Sequence, residues 1–433
     1  MITGYGCRQK RTLLRLNAHL WCAVRPLVAV GIFFVSLAAA AQSPTRAHAG
    51  STLSLHEAIA AAWARAPQRQ GLAAQQASAA ARYAAGGALL PNAPYALGTH
   101  VNDRVLGSNY GYITTQAEVG TPIWLPGQGS ATQATAQADG VAVEAVVEAA
   151  HLALASQVLD LAANVAIADN ARAVAVRRLA TAQSLAADLS RRFRVGESSQ
   201  SDALAASADA LSAASILGGA EAQVGATQVV LASVVGTPAS LVLDAPGPPP
   251  PPPGPDPFAN HPRIIAATRS LEAAQAAARL TRIDNRDSPE VGFQGINEKQ
   301  PGSRWDTRFG VTFRLPFATE ARNAPRRAAA EQVVTDATVQ LTLAQREVRV
   351  GVQQAQAIMA GAERSSIAAT RAAAELGRRR GQIDRAWRIG EMALIEVVRS
   401  NSLFYDAEYA RDKARIDLAV ARLRLRLAEG VVL

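Results

Sequence analysis

The chain is written twice, and that limits its possible folds more than anything else in the sequence. Arg194-Val195-Gly196-Glu197 returns as Arg388-Ile389-Gly390-Glu391, 194 residues later. Thr121-Pro122-Ile123 returns as Leu315-Pro316-Phe317 at the same offset, and Ala66-Pro67-Gln68-Arg69 is echoed by His261-Pro262-Arg263 at 195. Units of this length are duplicated modules, since solenoid repeats run to about 20–50 residues. The fold is therefore two copies of one plan: residues 50–245, then residues 258–433. Between them, residues 246–257 hold nine prolines in twelve positions. Such a run cannot be helical and reads as a stiff polyproline linker.

Residues 1–49 read as a secretory signal peptide. Arg8, Lys10, Arg11, Arg15 and Arg25 make a basic start without acids, Leu27–Ala41 is apolar but for Ser36, and small residues offer cleavage after Ala41 or Ala49. The whole chain has 44 basic and 35 acidic residues, net +9. Cleavage after Ala49 would remove six basic residues and leave a net charge of +3. The basic balance thus belongs largely to export, and a nucleic-acid partner is not expected. Both cysteines, Cys7 and Cys22, would leave with the leader, which excludes a disulfide scaffold and a thiolate metal site. No later segment has 18 consecutive apolar residues, which excludes a polytopic helical membrane protein.

Each half has the same internal grammar. Leu53, Leu55, Ile59 and Trp63 recur at helical spacing behind Ser54, a residue type that caps helices. A helix is expected to follow as far as Leu90, where Pro91 and Pro94 stop it. Then comes an alanine-rich stretch from Gln128 to about Ser190. As one helix it would be about 95 Å long. Val143, Val147, Leu154, Val158, Leu161 and Val165 repeat along it as a coiled-coil seam, with small residues that let helices approach closely. Gly196 ends the arm, and a return helix is expected over 202–235. The second half repeats this with a helix over 326–388, Gly390, and a return helix to Ala428 whose seam is Ile416, Val420, Leu423 and Leu427.

Between the helices the period falls to two. Trp305, Thr307, Phe309, Val311, Phe313 and Leu315 share one face; Asp306, Arg308, Gly310, Thr312 and Arg314 share the other. Strands are expected over 94–101, 112–121, 290–297 and 305–315, joined as two hairpins by the polar segments 102–111 and 297–304. In the first half, Tyr95, Leu97, Thr99 and Val101 are assigned to the apolar face with Ile113, Thr115, Ala117 and Val119, and His100 to the polar one. A charged face backed by an apolar face suits a water-filled lumen inside lipid. It also suits two hairpins on a soluble sheet. Four strands alone cannot close a barrel, so strands that span a membrane must be completed by further subunits.

Leu53-Ser54-Leu55-His56-Glu57-Ala58-Ile59 before Ala66-Pro67 resembles the opening of TolC-family outer membrane efflux proteins. Val119 to Gly127 (VGTPIWLPG) resembles the strand-to-helix junction of their cation-efflux branch. Phe193 to Glu197 and Arg388 to Glu391 resemble the family's two periplasmic tips. The resemblance implies a mainly α chain with a β-barrel portion. Three protomers of four strands each would form a 12-stranded outer membrane barrel above a long α-helical periplasmic tunnel. It further implies an exit duct that works with a periplasmic adaptor (membrane fusion) protein and an inner membrane pump of the RND class, with heavy-metal cations as cargo. A drug-efflux or type I secretion channel, or a periplasmic coiled-coil scaffold, remain the alternatives.

By the same resemblance the tips, Val195, Gly196, Glu197, Ile389, Gly390 and Glu391, would meet the adaptor. Glu396 falls where the family rings its periplasmic mouth with acids, and Arg399 replaces the second acid. Asp202 and Trp387 match further mouth positions. Bland readings compete: an exposed helix carboxylate for Glu396, paired or not with Arg399; an early-turn acid for Asp202; a packing aromatic for Trp387. Beyond residue 49, His56, His100, His151 and His261 lack ligand spacing, and Met359 and Met392 are isolated, so no bound metal or cofactor is expected. No P-loop, dinucleotide fingerprint or nucleophile elbow occurs, and no enzyme is expected. Arg326-Arg327 and Arg378-Arg379-Arg380 read as solvated helix faces.

Overall fold

The computed structural model describes residues 52–104, 107, 109–237, 240–243 and 258–431. The expected leader and the proline-rich linker 246–257 lie outside the described residues. The elements run β1 (Thr52–Ser54), α1 (Leu55–Arg65), α2 (Pro67–Gly86), β2 (Tyr95–Asn102), β3 (Ile113–Pro122), α3 (Gln128–Arg194), α4 (Gln200–Val235) and β4 (Ser240–Val242). They continue with α5 (Pro262–Ile283), β5 (Glu290–Lys299), β6 (Asp306–Arg314), α6 (Glu320–Arg388) and α7 (Leu394–Ala428).

Ser54 caps α1 as its sequence suggests. Its hydroxyl accepts the Glu57 N–H at 3.2 Å, and the Glu57 carboxylate accepts the Ser54 N–H at 2.8 Å, a reciprocal box. These bonds from Ser54 hold the Glu57 carboxyl below the ordinary carboxylate range. α2 stops at Gly86, short of Leu90, because the Gly86-Gly87 pair ends it before the prolines do. α6 starts at Glu320, six residues before the expected 326, and carries Pro325 inside it. The missing Pro325 N–H leaves the Ala321 carbonyl without its usual helical donor, which a helix start tolerates far better than a helix centre.

The two arms turn back alike. Gly196 and Gly390 adopt φ of 83° and 81°, the left-handed conformation that side chains disfavour. Gly196 N–H donates to Phe193 and Glu197 N–H to Arg192; Gly390 N–H donates to Trp387 and Glu391 N–H to Ala386. These are the same bonds at matching positions of the duplication, so the repeat in sequence is a repeat in turn chemistry.

The helices pack through alanine and a thin apolar seam. Leu55, Ile59, Leu152, Val158, Leu159, Leu231, Val235, Val420 and Leu423 form one core that joins α1, α3, α4 and α7 near the sheet of β1 and β4, which pair in parallel. By length and composition alone, α3 and α4 are apolar enough to cross a membrane. An unbroken apolar run is absent because residues such as Glu148, Gln157, Asp160 and Glu221 interrupt these helices, while their many alanines and valines keep the average high.

β2, β3, β5 and β6 form one antiparallel sheet in that order, which leaves β2 and β6 as open edges. The register fixes the faces. Arg308, Gly310, Thr312 and Arg314 stand opposite Ile296, Gln294, Gly292 and Glu290, and β3 adds Gln116, Glu118 and Gly120 to that face. Phe309, Val311 and Phe313 share the other face with Gly295, Phe293, Val291, Ala117 and Val119. β2 departs from expectation. Tyr95, Leu97, Thr99 and Val101 pair with Gly120, Glu118, Gln116 and Thr114, so they lie on the polar face, and His100, opposite Thr115, lies on the apolar one. Alternation in β2 gave the parity of its residues correctly and their side wrongly.

Candidate functional site

The polar chemistry of the described residues lies on one face of the sheet, along the α3–α7 seam, and at the tips.

On the polar face, side chains converge at the helical end of the strands. The Tyr95 hydroxyl donates toward Glu290 at 3.1 Å and Glu118 at 3.3 Å, and the Thr312 hydroxyl donates to Glu118 at 2.8 Å. Arg314 reaches Glu290 at 3.4 Å. Tyr95 can lie flat here because its partner is Gly120: a Cβ there would meet the ring at 2.4 Å. Higher up, Gln116 donates to Gln294 at 2.7 Å, and Arg308 pairs with Glu298. Each of the four strands contributes polar side chains to this face, with Leu97, Val101 and Ile296 interspersed among them, and such a face suits a water-filled lumen.

The α3–α7 seam is held by polar contacts between the two halves. Arg177 pairs with Glu408 at 3.2 Å, Asn170 donates to the Tyr409 carbonyl at 3.2 Å, and Arg424 pairs with Asp160 at 2.6 Å. Arg178 reaches Ser402 and Asp406, and the Thr181 and Tyr405 hydroxyls share a hydrogen bond. These exposed or half-exposed bonds contribute roughly 0–1 kcal/mol per ion pair. They orient the hairpins more than they weld them.

At the tips, Leu185, Leu189, Ala206, Ile383 and Val397 make a second core, with Trp387, Met392 and Leu394 against it. Trp387 therefore joins the two hairpins, and the Arg192 guanidinium sits 4.8 Å over its ring. Val195 and Ile389 project from the turns, 70% and 71% exposed, a matched apolar pair at the ends of the two arms. Glu197 and Glu391 flank them, both exposed. Asp202 lies in the first turn of α4, where Ser199 caps its N–H at 3.0 Å. That placement gives it the favourable dipole of a helix start.

Glu396, in the first turn of α7, is half-buried between two arginines. Arg379 lies at 3.6 Å and Arg399 at 4.0 Å. The second arginine was legible as a neighbour three residues on; Arg379 was not, because it comes from the opposing helix. Arg378 is solvated as expected and pairs with Glu375 on its own helix, but Arg379 and Arg380 turn to the neighbouring helix. Arg379 meets Glu396, and Arg380 donates to Asn401 at 2.8 Å while stacking 4.7 Å from Phe404 and 5.1 Å from Tyr405. Arg326 stays exposed as expected and pairs at the surface with Asp284 at 2.6 Å. Among the described residues, no group of three or more His, Cys, Asp or Glu is arranged to hold a metal ion.

The fold that these elements define, long paired helices continued into a four-stranded antiparallel sheet, is that of TolC-like outer membrane channels. The chain is similar to a membrane protein from Pseudomonas aeruginosa, at 17% identity and a TM-score of 0.68, over 91% of this chain and all of that one. It is similar to the CmeC outer membrane channel of Campylobacter jejuni at 15% identity and a TM-score of 0.70, over 87% of this chain and 85% of that one. The open state of the MtrE outer membrane channel of Neisseria gonorrhoeae matches at 19% identity and a TM-score of 0.68, over 87% and 88%. No protein-family model and no curated protein sequence matches the chain.

Proposed function

We propose that three copies of this chain form an outer membrane channel, the exit duct of a tripartite efflux system. Its tips would meet a periplasmic adaptor, and an inner membrane pump of the RND class would supply the energy. The observation that carries the reading is the sheet. It has a mainly polar face, a mainly apolar face, and two unpaired edges, β2 and β6. Open edges are not tolerated in lipid, and closure through further copies removes them.

The helices support the same assembly. α4 is largely apolar yet mostly uncovered: Leu204, Leu211 and Val229 are 63%, 71% and 70% exposed. A helix of that kind belongs inside a larger packing. α4 carries Asp202, Asp209 and Glu221 and no lysine or arginine, whereas α6 is rich in arginine and presents Val339, Leu343, Val350 and Ile358 to the outside. Opposite charge and matching apolar seams suit α4 of one copy against α6 of the next. Native mass measurement on membrane-extracted protein should give a trimer; a monomer would refute the duct.

Heavy-metal cations are the proposed cargo, on the resemblance of the 119–127 junction to the cation-efflux branch. A deletion strain should become sensitive to heavy-metal salts and not to drugs. The reverse pattern would assign the duct to drug efflux.

A further inference from the structure

The two most exposed large apolar residues among those described are not on strands. Leu89, 90% exposed, sits between α2 and β2, and Phe317, 80% exposed, sits between β6 and α6. Both lie where the sheet meets the long helices. The Trp124 indole N–H donates to the Ala88 carbonyl at 2.9 Å and ties the Leu89 segment to the β3–α3 joint that holds Ile123. Ile123 and Phe317 are equivalent positions of the duplication. The apolar residues continue past the strands: Val119 and Ile123 are exposed while Gly120 and Pro122 are buried, and Phe313, Leu315 and Phe317 are all exposed at every second position.

The strands alone give lipid too little to cover. On the apolar face, the row His100, Thr115, Asn297 and Thr307 crosses all four strands and is polar. His100 and Thr115 bond at 2.9 Å within it. Below that row, Phe309 to Phe313 covers about 13 Å of strand, or about 10 Å of height at a tilt of about 40°. An outer membrane barrel presents an apolar band about 25 Å tall. Carried on to Phe317, the same line reaches about 20 Å of height, and Trp305, with Lys299 5.9 Å over its ring, adds the far margin. Just beyond Phe317 the surface turns charged, with Arg322 paired to Asp287 at 2.7 Å and Arg327 to Glu320 at 2.6 Å.

We propose that the inner leaflet of the membrane reaches below the strands, and that Leu89, Ile123, Leu315 and Phe317 contact its phospholipid chains. The lipid boundary then falls between Phe317 and the Arg322–Asp287 pair. The α2–β2, β3–α3 and β6–α6 joints are embedded, the charged α5–β5 joint marks the boundary, and water begins on the first turn of α6. This rests on the barrel reading above, and it adds a lipid-binding rim on loops that no strand pattern marks.

The absence of cysteine beyond residue 22 allows a direct test. Leu89→Cys and Phe317→Cys are made in a Cys7→Ser, Cys22→Ser background, with Phe309→Cys as the strand reference and Leu211→Cys on the helices. Each is labelled with an environment-sensitive fluorophore and reconstituted in vesicles of plain or brominated phosphatidylcholine. At positions 89 and 317 we expect blue-shifted emission that brominated lipid quenches and aqueous iodide does not, as at 309. Quenching by iodide with lipid quenching kept at 309 overturns the rim and leaves the barrel standing. Shielding from both quenchers at 89 and 317 means a neighbouring copy covers them, which also overturns it. Iodide quenching at 309 itself would overturn the barrel reading.

Discussion

Leu97 and Phe293 are similarly exposed, 55% and 57%, and both are apolar strand residues, yet the register puts them on opposite faces. Substituting lysine for each therefore asks one question of two sites. Leu97→Lys places an ammonium on the polar face, opposite Glu118, where water and a carboxylate receive it. Its cost should stay within about 1 kcal/mol per copy. Phe293→Lys places the same charge on the lipid face. It also removes a ring stacked on Phe309 with centroids 5.8 Å apart. A lysine near mid-bilayer costs about 2–4 kcal/mol, and the lost aromatic pair about 0.5–1.5 kcal/mol more. Three copies multiply the total in one assembly. The assay is the yield of detergent-stable trimer in outer membrane fractions at matched expression. Leu97→Lys should remain near the parent yield and Phe293→Lys should fall by at least tenfold. Equal yields, or the reverse order, would refute the face assignment and with it the lumen.

Gly196→Pro or Gly390→Pro should impair efflux while trimer yield holds, because proline fixes φ near −65° where the turns need 83° and 81°; normal efflux from both would remove the tips from the mechanism. His261 caps α5 through its neutral Nδ1, which accepts the Arg263 N–H at 3.1 Å, and burial pushes its pKa down from 6.5 to about 4. Its stabilisation is complete above pH 6.5 and is lost as pH falls toward 4, by about 3 kcal/mol at most; His261→Asn should flatten that part of an acid-unfolding curve, and an unchanged curve would refute the assignment. Arg379→Ala should shift conductance in planar bilayers toward cations and Glu396→Lys away from them, both shifts shrinking in 1 M salt as the Debye length falls to about 3 Å. No change from either at low salt would show that Glu396 does not face the pore.

Much of this fold was legible because the duplication supplied each signal twice. The tips were readable from Gly196 and Gly390 alone, since only glycine enters that conformation easily, and the bonds around them repeat at the sequence offset. Ser54 with Glu57 announced its helix start. The side on which β2 places its residues was not legible. Alternation fixes which residues travel together, but only pairing with β3 decides which face they join, and β2 lacks the charges that labelled β6. Arg379 was hidden for a related reason: a contact between two helices leaves no trace in the spacing of either one. The apolar rim at Leu89 and Phe317 escaped because no period marks a loop.

The long helices have a mechanical consequence. α6 is joined to the sheet at one end and carries its tip about 100 Å away. On a lever of that length, a tilt of about 3° at the joint moves the tip by about 5 Å, one helical turn. The width of the far end is thus governed by the stiffness of short joints such as Leu315-Pro316-Phe317, and by which of the weak α3–α7 bonds hold at a given moment. The prolines in those joints, Pro122, Pro126 and Pro316, stiffen the lever at its fulcrum.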